Sequence, residues 1–445
     1  MKVTYILPAI GKKEGQKYVR TWQQMEPLMI ATLKELTPDH VKTEFYDDRI
    51  ELIDYETETD LVAISVEVYT ARRAYQIAAK FQKRGIPVIM GGYHTTLCPD
   101  EVAEHADSIL IGNAETVWKE IINDFEKGEY QKRYEGERTF LNITPDRSIY
   151  RDKKYSPLGV IETGRGCNHA CEFCAITSSY NAHYHRRPIE DIVREIKETG
   201  KKLFFFVDDN IVADHDYAIK LFKAIAPLNI KWTGQGTLTM AKDEELLKWM
   251  KKSGCQVILI GYESLEESNL EQMNKGWSSK LGYRNELTQR IHDYGINIYA
   301  TFVFGFDNDT VETFDRTLEF ALEHDFFFAA FNHLLPMPGT ELYRRLKEEG
   351  RLIDEKWWLN PEYRYGEIPF CPEKIDPELL ADKCTEARRE FFKLSSIFKR
   401  SISLLKRDLN PALYYIFWNL NLKLQKEVAG KRGLPLGEGL DELPK

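Results

Sequence analysis

Three closely spaced cysteines are the residues of this chain best suited to chemistry. Cys167, Cys171 and Cys174 form a CxxxCxxC run just after the apolar stretch 158–163. Three thiolates this close in sequence can bind three irons of a 4Fe–4S cluster and leave the fourth iron without a protein ligand. An open iron is a chemical site, because a substrate or cosubstrate can bind it. The spacing therefore predicts these cysteines as the metal ligands of a reactive cluster.

Two other interpretations of the cysteines stay open. A zinc site would add His169, His183 or His185, although structural zinc usually takes four ligands with cysteines in CxxC pairs. Three unrelated buried thiols would require accidental clustering. The remaining cysteines are scattered and read as small core residues: Cys98, Cys255, Cys371 and Cys384.

The cysteine run, with the aromatic Phe173 just before its third cysteine, resembles the radical S-adenosylmethionine (SAM) enzymes. In that family the open iron holds the amino and carboxylate groups of SAM, and an electron from the cluster cleaves SAM to a 5′-deoxyadenosyl radical. The resemblance implies a 4Fe–4S cluster and SAM as cofactors, with Phe173 near the adenine. It also implies an external electron donor of the flavodoxin or ferredoxin type.

Length and charge set the outer bounds on function. A chain of 445 residues is long enough for two or three domains, and its net charge of −9 argues against broad nucleic-acid binding. The apolar run at the N-terminus is too short for a signal peptide, and no apolar stretch reaches transmembrane length. Seven cysteines with a cluster motif indicate a reducing compartment, so a cytoplasmic location is expected.

Residues 1–130 alternate between short apolar strands and segments with helical spacing. This order predicts a doubly wound, Rossmann-like α/β domain with a parallel sheet, whose ligands bind beyond the strand carboxyl ends. Two of these ends read GGYHTT and GNAET. Together with the cysteine run, they resemble the GGxHxT-like loop and GxxE-like turn of the cobalamin-binding domain in cobalamin-dependent radical SAM enzymes. The resemblance implies cobalamin contacts at Val66, Tyr69, Gly91, Gly92, His94, Thr95, Gly112 and Glu115.

One motif of many cobalamin proteins is missing from this region. The DxHxxG sequence, whose histidine ligates cobalt, is absent, and the corresponding residues 46–51 read YDDRIE. Many cobalamin-dependent radical SAM enzymes also lack this motif, so we expect cobalamin without a histidine ligand. Two alternatives stay open: that the domain holds no cofactor, and that it holds another nucleotide-like ligand.

Residues 131–154 are polar and read as a linker, after which six βα units fill 155–340. Six units predict a partial (β/α)6 barrel rather than a closed eight-unit barrel. Carboxylates and amides at strand carboxyl ends suit SAM, because they can accept its hydrogen bonds and balance its positive charge. Helix capping by Asp209 and Asn210 is the alternative use of such residues. The resemblance implies SAM contacts at Asp208, Gln235, Glu263, Ser264 and Gly305.

Residues 341–445 match no motif and read as a mainly helical, aromatic region. One helix is expected over 376–396 and another over 409–428. We expect this region to close the open side of the barrel. A substrate pocket around Trp357, Trp358 and Tyr363 is one alternative. Another is a membrane-surface contact, because an apolar stretch is flanked by the basic residues Lys399, Arg400, Lys406 and Arg407.

The resemblance implies a cobalamin-dependent radical SAM methyltransferase that moves a methyl group from SAM, via methylcobalamin, to an unactivated carbon. No catalytic side chain can be named, and the expected substrate is a small molecule, sizeable and partly apolar. Ring formation, oxidation or rearrangement without methyl transfer is the alternative within enzymes. A tRNA methylthiotransferase is less consistent, and a non-catalytic cobalamin or redox sensor is the alternative outside enzymes.

Overall fold

Two six-stranded parallel sheets organise the molecule. The computed structural model describes residues 1–13, 24–139, 141–279, 284–407 and 411–440. The first sheet has the order β2-β1-β3-β4-β5-β6. Its strands are β1 (Lys2–Leu7), β2 (Lys42–Asp47), β3 (Leu61–Ser65), β4 (Val88–Gly91), β5 (Ser108–Ile111) and β6 (Arg133–Glu135). Its helices are α1 (Leu28–Leu36), α2 (Ala71–Gln82), α3 (Tyr93–Leu97), α4 (Pro99–Ala103) and α5 (Trp118–Lys127).

This first sheet confirms the predicted doubly wound α/β class, but it extends further along the chain than expected. Strand β6 pairs in parallel with β5, although it lies in the range 131–154 that the sequence predicts to be a linker. Tyr150 of the same range is buried in the core formed by β1, α1 and α5. These two segments are short and surrounded by polar residues, so their sequence resembles a linker. The linker prediction is therefore wrong at β6 and at Tyr150.

The second sheet has the order β14-β13-β12-β11-β10-β7. Its strands are β7 (Gly159–Ile161), β10 (Leu203–Phe206), β11 (Lys231–Gly236), β12 (Cys255–Glu263), β13 (Asn297–Phe304) and β14 (Phe328–His333), and an antiparallel pair, β8 (Gly164–Gly166) and β9 (Tyr184–Arg186), follows β7. Its helices are α6 (Ala175–Tyr180), α7 (Ile189–Thr199), α8 (His215–Ile225), α9 (Glu244–Ser253), α10 (Glu267–Gln272), α11 (Gly276–Ser279), α12 (Arg284–Asp293) and α13 (Val311–Glu323). Six parallel strands in one open sheet match the predicted partial barrel.

Strand β13 shows how sequence alternation gives the barrel two faces. Phe302 is buried and contacts Phe320 of α13 edge to face, so its face packs against the helical layer. Tyr299, Thr301 and Val303 alternate with the buried positions and are more accessible. Since successive strand residues point to opposite faces, these three side chains line the inner face of the barrel.

The C-terminal region covers the barrel edge. It contains α14 (Glu341–Glu348), β15 (Arg364–Tyr365), α15 (Pro377–Phe391), α16 (Leu394–Leu405), α17 (Pro411–Lys431) and β16 (Leu434–Pro435). Phe391 of α15 contacts Phe331 of β14, as expected for a region that closes the barrel. The single helix expected over 376–396 is in fact two helices, because the helical conformation is interrupted at Phe392 and Lys393, between α15 and α16.

Trp357, Trp358 and Tyr363 are fully or nearly fully buried, but in the core of the N-terminal domain. The C-terminal region thus also fastens the two domains together. Its tail returns to the loop after β1, where Lys12 N–H donates to the Glu438 carbonyl at 2.8 Å and Gly437 N–H donates to the Ile10 carbonyl at 2.7 Å. Across the described ranges, no helix has both the length and the apolar character that a membrane crossing requires.

Candidate active site

The cysteine loop begins where β8 ends and is held by residues that follow β10. Gly166 N–H donates to the Asp209 carboxylate at 2.9 Å, and the Asn210 amide approaches Cys167 Sγ at 3.9 Å. Cys174 N–H donates to the Cys171 carbonyl at 3.1 Å, which closes a tight turn between these two cysteines. Strand β10 therefore positions the start of the loop, and the loop's own backbone sets the spacing of its last two thiols.

The three thiols share one electrostatic environment. Burial raises the pKa of Cys171 to about 12, the Lys275 ammonium opposes that rise, and the charges of Cys174 and Cys167 add to it. Burial also raises the pKa of Cys167, with a further contribution from Cys174. Thiolates that repel one another at close range need a cationic partner, and binding to iron removes the repulsion.

The side chains around the loop do not form a mononuclear metal site. Among the described residues, no three His, Cys, Asp or Glu side chains are grouped so that they could hold one metal ion. In an iron–sulfur cluster each thiolate binds a different iron, so the sulfurs stand further apart than ligands of a single ion. His169 stacks on Trp277 at a centroid distance of 3.8 Å, and His183 Nδ1 lies 2.8 Å from the Asn181 carbonyl oxygen.

Asp208, an expected SAM contact, accepts hydrogen bonds from the segment that follows β7. Its carboxylate accepts from Thr163 N–H at 3.0 Å and from the Thr163 hydroxyl at 2.5 Å. The side chain is fully buried, and burial raises its pKa to about 7 against the effect of these two bonds. Asp208 thus positions the segment that leads into the cysteine loop.

Glu263, at the end of β12, faces the cysteine loop with Lys275. Its carboxylate accepts from Lys275 Nζ at 2.8 Å, and both side chains are about nine-tenths buried. Lys275 also donates to the Gly261 carbonyl at 2.8 Å. Glu263 has a positive φ of 60°, a strained value for a residue with a side chain, which is common at functional sites. Lys275 belongs to no sequence motif, so its position beside Glu263 is evident only from the structure.

The other expected SAM contacts lie at carboxyl ends of neighbouring barrel strands. The Ser264 hydroxyl accepts from Glu266 N–H at 3.1 Å, and Gly305, with φ of 114°, donates its N–H to Asp309 at 2.8 Å. Gln235 is partly exposed on β11, and Phe173 meets Phe306 edge to face. Gln235, Glu263, Ser264 and Gly305 thus lie at the carboxyl ends of three neighbouring strands, β11, β12 and β13, and Phe173 lies within the cysteine loop.

Arg388 of α15 is a further group at the barrel mouth that the sequence did not reveal. It donates to the Asn332 amide oxygen at 2.7 Å, beside the end of β14. No carboxylate in the described part of the chain lies within ion-pair distance of it. Its charge, together with that of Arg432, adds to burial in lowering the pKa of His333 to about 4. The guanidinium therefore supplies positive charge next to a neutral imidazole.

A cavity of about 290 Å³ lies at the carboxyl edge of the first sheet. Its floor is apolar and includes Ile64, Ile89, Leu110 and Trp118. Of the expected cobalamin contacts, it is lined by Gly91, Gly92, Gly112 and Glu115. Lining residues that the sequence analysis did not name include Ser65, Glu67, Tyr93, Thr96, Asn113, Arg138, Arg165, Ser179 and Tyr180.

Four expected cobalamin contacts, Val66, Tyr69, His94 and Thr95, do not line this cavity. The GGYHTT segment resembles a loop, but from Tyr93 onward it forms the helix α3, which places Tyr93 and Thr96 on the cavity side. His94 points into the core, where its Nε2 lies 3.2 Å from Glu101 Oε1 and its ring meets Trp358 edge to face. Tyr69 packs against Trp357 and Tyr365.

The cavity is bounded on its barrel side by an ion-pair network. Arg165 pairs with Glu162 at 2.7 Å and with Glu115 of the first domain at 2.7 Å. Burial works against the charge of Arg165, but the two carboxylates outweigh it and raise its pKa. Ser179 also lines the cavity, and its buried hydroxyl has no hydrogen-bond partner within the described structure. A polar ligand group can therefore be accommodated at this wall.

Comparison with known proteins agrees with this geometry. Residues 161–321 match the radical SAM superfamily model. Over 354 residues, covering 77% of this chain and 76% of the relative, the sequence is 31% identical to bacteriochlorophyllide d C-12(1)-methyltransferase of Chlorobaculum tepidum.

Two solved structures share the fold. One is the radical SAM methyltransferase TsrM of Kitasatospora setae, solved with cobalamin and a [4Fe-4S] cluster, with a TM-score of 0.65 and 13% identity over 96% of this chain and 99% of that one. The other is the cobalamin-dependent radical SAM enzyme OxsB, with a TM-score of 0.66 and 16% identity over 96% of this chain and 71% of that one. The chain therefore belongs to the radical SAM superfamily, has the fold of these two enzymes, and is homologous to a C-methyltransferase.

Proposed function

We propose that this chain is a cobalamin-dependent radical SAM methyltransferase that methylates an unactivated carbon of a small molecule. The observation that carries the proposal is the position of the cavity. Its wall includes Arg165, two residues before the cysteine loop, and Ser179 and Tyr180 shortly after it. A ligand in the cavity and a cluster on the loop would therefore be neighbours, as transfer between two cofactors requires.

The residues of the loop fit a 4Fe–4S cluster. Cys167, Cys171 and Cys174 would hold it, and Asn210 would donate toward the sulfur of Cys167. The cluster supplies the electron that cleaves SAM, and cobalamin supplies a methyl carrier. Lys275 would offset negative charge beside Cys171, since its ammonium already favours that thiolate.

SAM would bind at the barrel mouth. Glu263 is the proposed polar anchor, because it is a buried carboxylate whose charge acts on Cys171 of the loop and it is already oriented by Lys275. Gln235, Ser264 and the Gly305 backbone would complete the site, with Phe173 against the adenine. Asp208 would act indirectly, by fixing Thr163 and the strand before the loop.

Cobalamin would occupy the cavity with no histidine on cobalt. The volume of about 290 Å³ is close to the lower end of the roughly 300–1,000 Å³ of small-molecule sites, so the cavity would hold only part of cobalamin, such as its nucleotide portion. His94 is engaged with Glu101 in the core. Electron paramagnetic resonance of the cobalt(II) protein should therefore show no nitrogen superhyperfine splitting, in the parent and in His94→Ala alike.

The substrate would be a sizeable, partly apolar molecule with an anionic group. Arg388 offers a guanidinium at the barrel mouth whose hydrogen-bond partner is a neutral amide. Tyr299 lies on the inner face of β13. Burial raises its pKa, and the positive charge of Arg388 opposes that rise. A ring system carrying a carboxylate, such as the bacteriochlorophyllide named for the Chlorobaculum relative, has this character.

Methyl-labelled SAM tests the reaction directly. A methyltransferase should place the label in the product and yield S-adenosylhomocysteine and 5′-deoxyadenosine in equal amounts. An enzyme that closes a ring or oxidises its substrate should give 5′-deoxyadenosine without matching S-adenosylhomocysteine, and that outcome would overturn methyl transfer. The assay needs an external low-potential electron donor, and we infer a cytoplasmic setting because all seven cysteines are free thiols.

A further inference from the structure

One face of α16 presents large apolar side chains to solvent. Leu394, Phe398, Ile402 and Leu405 are 58%, 59%, 43% and 56% exposed. Their spacing of four, four and three residues places them within an arc of about 80° along the helix. Exposed apolar side chains are ordinary when scattered, whereas a stripe along one helix indicates an interaction surface. We call these four residues the α16 stripe.

The opposite face of α16 is anchored, so the stripe is a fixed feature. Arg400 is fully buried and donates to the carbonyls of Phe326 at 3.0 Å and Phe391 at 2.9 Å. Its guanidinium also lies over the Phe391 ring at 3.9 Å. Of the four basic residues named in the sequence analysis, Arg400 is therefore internal. The helix cannot rotate to bury the stripe without breaking the Arg400 hydrogen bonds.

Two lysines line one edge of the stripe. Lys399 and Lys406 follow Phe398 and Leu405 directly, so they lie along the same side of the apolar arc. Both are exposed, and neither pairs with a carboxylate in the described part of the molecule. On a chain with a net charge of −9, this is a local concentration of positive charge beside apolar surface.

We propose that the α16 stripe docks on a membrane surface that carries anionic lipids. An apolar stripe with adjoining lysines is the arrangement of interfacial helices, in which the apolar side chains enter the headgroup boundary and the ammonium groups meet lipid phosphates. A protein partner fits less well, because a standard interface takes roughly 20–30 residues a side and this stripe has four large side chains. The proposal is independent of the reaction.

Vesicle co-sedimentation of the full-length protein tests the proposal. The protein should bind vesicles of phosphatidylcholine with phosphatidylglycerol, and bind phosphatidylcholine alone more weakly. Phe398→Ser with Leu405→Ser should reduce binding by about tenfold or more, since each removes a large side chain from the apolar contact. Lys399→Gln with Lys406→Gln should reduce it about tenfold or more on anionic vesicles only.

The matched control is Ile353→Ser, because Ile353 is 59% exposed but lies outside the stripe. Far-ultraviolet circular dichroism should confirm that each variant is folded. If the variant with Phe398→Ser and Leu405→Ser is not folded, the variant with Leu394→Ser and Ile402→Ser replaces it in the test. The proposal is overturned if the parent protein stays in the supernatant when anionic vesicles are sedimented. It is also overturned if the stripe variants change the oligomeric state in light scattering while vesicle binding persists, which would assign the stripe to a second copy of this chain.

Discussion

Asp208 accepts two hydrogen bonds from Thr163, one from its backbone N–H at 3.0 Å and one from its hydroxyl at 2.5 Å. Through this pair, the end of β10 holds the segment that leads from β7 into the cysteine loop. The bonds lie in the barrel core, where burial strengthens each one and also makes the carboxylate charge costly.

Replacing Asp208 should change how stability depends on pH. Burial raises its pKa from 3.8 to about 7, so the folded protein binds this proton more tightly than the unfolded chain does. The group therefore favours folding at low pH, and that contribution is lost as pH rises between about 4 and 7.

Thermal unfolding measured from pH 4 to 8 should show a flatter profile in Asp208→Asn than in the parent. Asp216→Asn is the control, since that carboxylate is 85% exposed. Parallel profiles for Asp208→Asn and the parent would contradict a raised pKa.

The three cysteines should be required together for iron. Changing Cys167, Cys171 and Cys174 to Ala should abolish the broad visible absorption of the reconstituted protein, because each thiolate holds a different iron. Iron and sulfide analysis after anaerobic reconstitution measures the loss. Cys371→Ala, at an exposed position outside the site, should retain the cluster. Stoichiometric zinc in place of iron in the parent protein would refute the assignment.

Glu263→Gln should weaken SAM binding while the cluster stays. The change leaves the Lys275 ammonium without its buried counter-charge, and removing one partner of such a pair typically costs about 3–5 kcal/mol. We expect at least a tenfold rise in the dissociation constant for SAM (about 1.4 kcal/mol), measured by equilibrium binding, with unchanged cluster absorbance. Glu266→Gln is the control, because Glu266 pairs with the largely exposed Arg316. Unaltered SAM affinity in Glu263→Gln would remove Glu263 from the site.

Arg388→Gln should lower affinity for anionic substrates selectively. Binding of a tetrapyrrole carboxylic acid and of its methyl ester can be compared in the parent and the variant. The acid should bind the parent more tightly, and the preference should disappear in Arg388→Gln, because a charge-assisted bond is worth about 1.5–3 kcal/mol. Arg389→Gln, at the exposed neighbouring position, should keep the preference. An equal preference in all three proteins would show that Arg388 does not contact the substrate.

Trp358 should matter for stability through Glu101. Its indole N–H donates to Glu101 Oε1 at 2.9 Å, and Tyr75 donates to the same oxygen at 3.0 Å. Trp358→Phe removes one donor from a buried carboxylate, so we expect a loss of about 1–3 kcal/mol and a lower unfolding temperature. Trp249→Phe, on the partly exposed face of α9, should have little effect. Equal unfolding temperatures for Trp358→Phe and Trp249→Phe would contradict a bridging role.

Both sheets could be predicted from the sequence, because the spacing of apolar residues distinguishes strands from helices. The sequence could not predict how short segments orient their side chains. Ser65 and Glu67 line the cavity whereas Val66 between them is buried, which is the period of a strand continuing past β3. His94 lies in a helix where the sequence resembles a loop, because a five-residue helix leaves too little pattern to be recognised. Arg388 could not be predicted because its contact with Asn332 joins segments 56 residues apart. Lys275 could not be predicted because no motif places a lysine there.

The tail that reaches back to Ile10 and Lys12 links the order of synthesis to the order of assembly. Gly437 and Glu438 are made hundreds of residues after the loop that they touch. While the barrel is being translated, the N-terminal sheet is present without these bonds and without the buried indoles of Trp357 and Trp358. The cavity-bearing domain therefore reaches its final set of contacts only after residues 437 and 438 have emerged, long after its own sheet has been made.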